Sequence, residues 1–111
     1  MYDPIEEIIK IAPFEVEPYF EDYPDVIVKI YLEGPPTDEQ VDALIESVAK
    51  FHKKYNFWHI NPIHYVSEFE YDEYNEINFH IDFGSCHPNV TLGLAKAIIN
   101  AKLPIVKVIF E

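Results

Sequence analysis

Four stretches of the chain alternate apolar and polar residues, and three others repeat apolar residues at helical spacing. The first alternating run is VIVKIYLE, residues 26 to 33. Val26, Val28, Ile30 and Leu32 share one face, and Ile27, Lys29, Tyr31 and Glu33 the other. Its β-branched content and the Gly34-Pro35-Pro36 break predict a strand. PIHYVSEFEY and EINFHIDF alternate around the polar turn Asp72 to Asn75, which predicts a β-hairpin. In the first arm Ile63, Tyr65, Phe69 and Tyr71 are expected inward, and His64, Val66, Glu68 and Glu70 outward. In the second arm Ile77, Phe79, Ile81 and Phe83 point inward, and Glu76, Asn78, His80 and Asp82 outward. IVKVIFE, 105 to 111, predicts a last strand, with Val106, Val108 and Phe110 opposite Ile105, Lys107 and Ile109.

Thr37 opens a long helix, and Gln40 three residues on completes a capping-box pattern. Val41, Leu44, Ile45, Val48, His52 and Tyr55 form its apolar stripe. Lys50, Lys53 and Lys54 are placed in its last turns, where they complement the helix dipole. NFWHINP then reads as a connection, with Phe57 and Trp58 closing the bottom of the core. A second helix begins at Pro88 or Asn89 and buries Leu94, Ala95, Ile98 and Ile99; Ser85 or Asn89 is its expected cap. A short helix is expected from Asp3-Pro4 to Ala12, and a short strand over Phe14 to Glu17.

From residue 26 the order is β-α-β-β-α-β. Right-handed crossovers put both helices on one side of the sheet. The expectation is a ferredoxin-like fold: a four-stranded antiparallel sheet, two helices on one face, and the other face open. The chain is one domain, with residues 1–25 an N-terminal extension and 26–111 the α/β core. The extension is expected to cover part of the open face or an edge.

Composition narrows the function. Twenty acidic residues stand against eight lysines, with no arginine, for a net charge of −12. Nucleic-acid affinity rests on Lys and Arg displacing phosphate counterions, so that partner is excluded. The whole-chain charge likewise opposes anionic membranes, and no apolar run is long enough to span a bilayer. Residues 1 to 46 carry a net −11 and residues 67 to 82 a net −6, whereas residues 47 to 66 carry +3. Cys86 is the only cysteine, so no intrachain disulfide exists. With no basic or apolar leader, the chain is expected to be cytoplasmic.

Candidate chemistry is sparse. There is no phosphate-cradling glycine loop, CxxC or HExxH pattern, and no cofactor is expected. His64, His80 and Asp82 are the metal candidates, in a spacing that matches no zinc motif. If residue 70 pairs with residue 78, Glu68 faces His80 across the hairpin. Cys86 and His87 are neighbours near a helix start, but they lack a third orienting group, so no catalytic residue is assigned.

The remaining signal is the interleaving of carboxylates with aromatics. Glu15, Glu17, Tyr19, Glu21 and Asp22 form one block; Glu68, Glu70, Tyr71, Asp72, Glu73 and Tyr74 form the other. Aromatics anchor protein interfaces and carboxylates steer basic partners. In general character the chain looks like immunity proteins and antitoxin-type inhibitors of bacterial toxins: small, acidic, single-domain and poor in cysteine. That likeness is one of composition. The expected function is a non-enzymatic module that binds, and inhibits, a basic protein. The alternative is a homodimeric ligand- or metal-sensing domain that uses the open sheet face.

Overall fold

In a computed structural model of the chain, residues 4–18 and 24–111 are described. The fold is α+β, with three helices and a six-stranded mixed sheet among those residues. The elements in order are α1 (Pro4–Ile11), β1 (Glu15–Pro18), β2 (Asp25–Leu32), α2 (Asp38–Trp58), β3 (Tyr65–Val66), β4 (Glu70–Tyr71), β5 (Glu76–Asp82), α3 (Val90–Asn100) and β6 (Ile105–Phe110). The sheet order is β1-β6-β2-β5-β3, and β4 also pairs with β5.

The alternating residues of β2 and β5 set the two faces. Val26, Val28, Ile30, Ile77, Phe79 and Ile81 are all buried, and each pairs across the strands with another of the set. Against this face pack Ile8 of α1, Val41, Leu44 and Val48 of α2, and Val90, Leu94, Ala95 and Ile98 of α3, in one continuous core. Ile99 of α3 is only partly buried, and Ala97 takes the inward place instead.

The sheet differs from the expected four antiparallel strands in two ways. First, β1 joins the edge parallel to β6, with Glu15 beside Lys107 and Pro18 beside Phe110. Among the described residues, the N-terminal segment thus takes the edge and widens the sheet, while α1 packs with α3. Second, the first hairpin arm is interrupted. Val66 pairs with Ile81 and Glu70 with Asn78, so residues 67 to 69 stand opposite only 79 and 80. That extra residue is a bulge. Ser67 holds it: its amide donates to the His80 carbonyl (2.8 Å), and its Oγ accepts from the His80 amide (2.7 Å). Phe69 turns inward to stack on Phe79 at 4.2 Å. Upstream of the bulge the faces reverse: Val66 points inward with Ile81, and Tyr65 points outward, 53% exposed.

The capping box of α2 is present, with Thr37 Oγ1 accepting from the Gln40 amide and Gln40 Oε1 from the Thr37 amide. The helix, however, continues to Trp58, so the three lysines precede its last turn. His59 ends it by stacking on Tyr55 and bonding the Tyr55 carbonyl. Asn56 then imitates a strand partner, bonding both the amide and the carbonyl of Ile63. Phe57 and Trp58 do not close the core; they are 77% and 71% exposed. Phe57 continues the wet stripe of Lys50, Lys53 and Lys54 at i+7, i+4 and i+3, and Trp58 lies beyond the last core layer.

The β5–α3 turn depends on Gly84, at φ +58°. Asn89 occupies the cap position of α3 but makes no side-chain cap bond, and the buried Thr91 hydroxyl donates to the Pro88 carbonyl instead. A Cβ on Gly84 would lie 2.5 Å from His64 Nε2. Gly84→Ala is therefore expected to cost about 1–3 kcal/mol through left-handed strain plus the clash. Denaturant titration of Gly84→Ala alone and with His64→Ala checks this: His64→Ala should recover the steric part only, so no coupling between the two would refute the contact.

Candidate functional site

The sheet face without helices collects several of the charged residues that the sequence singled out. By alternation from the buried positions it carries Glu15 and Glu17 of β1, Asp25, Ile27, Lys29 and Tyr31 of β2, and Glu76, Asn78, His80 and Asp82 of β5. Tyr65, Glu70, Lys107, Ile109 and Glu111 complete it. Among the described residues, seven carboxylates thus share this face with two lysines.

Both lysines are already matched. Lys29 Nζ meets Glu111 Oε2 at 2.8 Å, and Lys107 Nζ meets Glu17 Oε1 at 2.6 Å. The Glu111 bond raises the Lys29 pKa above its ordinary value, against a smaller opposing effect of burial. Tyr31 donates to its cross-strand neighbour Glu76, and that bond, with burial and the nearby carboxylate charge, raises the phenol pKa. Asn78 Nδ2 donates to the same carboxylate at 3.3 Å. These contacts are partly exposed, so each is worth little to stability. Their effect is to occupy the cations and leave net negative charge facing outward.

The bulge changes the expected Glu68–His80 pair. Ser67, not Glu68, adjoins the His80 backbone, and His80 Nε2 meets Asp25 Oδ1 at 3.3 Å. The Tyr65 ring stands edge-on to His80 at 6.2 Å. Glu68 and Glu70 instead line a shallow depression beside the bulge, with Ile27, Tyr65, Asn78 and His80. The metal candidates separate: His64 lies over Gly84, Asp82 Oδ1 accepts the Gly84 amide at 2.8 Å, and His80 turns to Asp25. Among the described residues no group of three metal-ligating side chains forms.

The hairpin tip is built by Asp72, whose Oδ1 accepts the Tyr74 and Glu76 amides. This fixes Asp72 as a turn residue and raises Glu73 and Tyr74 into solvent; Tyr74 is 71% exposed. Tyr71 lies on the helix side, where its hydroxyl donates to Asp38 Oδ1 at 2.6 Å, a bond that raises the Tyr71 pKa. It ties the hairpin to the start of α2, on the opposite side of the sheet from Glu70. Tyr19, Glu21 and Asp22 lie outside the described residues. Among the described residues, Glu15 and Glu17 do not join the second acidic block. β1 and β4 are four strand spacings apart, about 19 Å, and they frame opposite edges of the same face.

Two features escaped the alternation pattern. One is an apolar groove between α2 and the bulge, lined by Ile45, Val48, Ala49, His52, Val66 and Phe69, with Glu68 at its rim. It exists because the bulge lifts residues 67 to 69 away from the regular strand path. The other is the exposed end of α2. Cys86 and His87 also turn apart: the thiol donates to the Asn61 carbonyl at 3.3 Å, while His87 Nδ1 accepts the Asn89 amide at 3.1 Å. Burial pushes the Cys86 pKa up, which keeps the thiol protonated and poorly nucleophilic.

No protein-family model, curated protein or solved structure matches the chain. No helix among the described residues is long and apolar enough to cross a membrane.

Removing the Glu76 carboxylate tests the electrostatics of the face. A raised tyrosine pKa stabilises the fold fully below the unfolded value of 10.0, and that stabilisation is lost as pH rises through the folded pKa. Glu76→Gln is therefore expected to return Tyr31 ionisation toward 10.0. Tyrosinate absorbance, compared between Glu76→Gln and Tyr31→Phe, reads it; an unchanged titration would rule out the Tyr31–Glu76 bond.

Proposed function

We propose that this protein is a non-enzymatic binding module that docks a basic protein on its open sheet face and thereby inhibits it. The observation that carries the reading is the charge arrangement: seven carboxylates on one face, with its two lysines already bonded to Glu17 and Glu111. A flat, partly ordered negative surface of this kind speeds encounter with a positive partner and disfavours others. Glu68 and Glu70 beside Tyr65 and Ile27 supply the contact at one edge of the face, and Glu15 and Glu17 the contact at the other. Glu73 and Tyr74 supply the accessible tip. Tyr71 and Asp72 act indirectly, by holding the hairpin to α2 and shaping the turn.

The scaffold that we propose beneath this face is a ferredoxin-like core, with β3 and β4 as one split strand and β1 as an added edge. Its support is the antiparallel neighbour order β6-β2-β5 and the placement of α2 and α3 as the crossovers. The sensing alternative, which uses the open sheet face, keeps one observation, the depression lined by Ile27, Tyr65, Asn78 and His80.

The test captures proteins on immobilised wild type and on Glu15→Gln/Glu70→Gln/Glu76→Gln, and then measures association kinetics of the retained partner. Between about 50 and 500 mM salt the wild-type on-rate is expected to fall by about tenfold or more. The triple variant should start lower and respond less. An on-rate indifferent to both salt and the substitutions would overturn the proposal.

A further inference from the structure

The fold sorts the charges that the sequence only lists. No acidic residue occurs from Ser47 to Ser67, a stretch that contains Lys50, Lys53 and Lys54. These lysines share one stripe of α2 that runs into Phe57. At its end Phe57, Trp58 and Ile60 stand 77%, 71% and 99% exposed. Phe57 and Trp58 pack edge to face at 5.0 Å, and the lysines line a shallow groove at their feet. Among the described residues, Lys50 alone of the three has a carboxylate beside it, Glu46, at 3.3 Å with both groups exposed. The acids of the first turns of α2 are remote. Asp42 lies sixteen residues from Trp58, about 24 Å along the helix. That is about three screening lengths at physiological salt, so those acids scarcely reach Trp58.

Three raised apolar side chains within a basic collar suit a surface that is anionic outside and apolar just beneath. Tryptophan and phenylalanine settle at the headgroup level of a bilayer, and lysines behind them meet anionic headgroups. A protein groove would instead require these side chains to fill a fixed cleft, and a second copy in two-fold contact would oppose the lysines to one another. We infer that the end of α2, Lys50 to Ile60, is a peripheral contact site for anionic lipid bilayers. It lies on the helical layer, so it leaves the acidic sheet face free.

The chain's single tryptophan is Trp58, which makes its fluorescence a direct reporter. Full-length protein is titrated with vesicles of phosphatidylcholine alone and of phosphatidylcholine with phosphatidylserine at roughly three to one. The expected result is a blue shift and co-sedimentation with the anionic vesicles only, reversed by high salt. Lys53→Glu/Lys54→Glu should weaken partition by about tenfold or more, and Phe57→Ala should reduce the blue shift. Val106→Ala, at an exposed position of β6 away from the end of α2, should bind as wild type. Circular dichroism establishes that each variant is folded. Absence of partition by the folded wild type, or partition unmoved by the lysine reversal, would overturn the inference. So would a shift that follows protein concentration without lipid, because it would assign the patch to contact between copies.

Discussion

The pairing of β2 with β5 is the constraint on which the rest depends. Val26, Val28 and Ile30 lie beside Ile81, Phe79 and Ile77, and all six are withdrawn from water. Side chains alternate along a strand, so burying one set fixes the other on the opposite face. A one-residue slip would bury Lys29, Asn78 and His80 without their partners. The register is therefore set by the core, and the placement of Asp25, Tyr31, Glu76 and Asp82 on the open face follows from it.

The two layers carry different charge as a result. The helices spend their apolar stripes on the sheet and keep the acid-free part of α2 at one end. The sheet keeps its carboxylates on the face that no helix covers. Ion pairs on that face contribute little to stability, since they are partly exposed and screened. They matter because they consume the local lysines. A molecule with a net charge of −12 thus has one strongly negative face and one basic, aromatic end.

The bulge at Ser67–Phe69 shows how a local backbone event redirects chemistry. Uniform alternation would set Glu68 against His80. Ser67 instead satisfies the amide and carbonyl of His80, Phe69 stacks on Phe79, and Tyr65 moves to the open face. The depression on the sheet and the apolar groove behind it are the two sides of this displaced segment. Nothing in SEFEY marks the extra residue, because either phase of the alternation leaves some polar residue facing water.

Periodicity and punctuation in the sequence were enough for the three helices, the capping box, the hairpin turn and the inward residues of β2 and β5, since each is decided within one element. The charge blocks were equally legible. Tertiary structure alone decided that β1 would extend the sheet beside β6, that the first hairpin arm would break, and that α2 would carry Phe57 and Trp58 past the core. Those outcomes depend on which edge is free, which ring can stack on Phe79, and where the sheet ends beneath the helix. Such facts belong to contacts between distant residues, and no single stretch of sequence contains them.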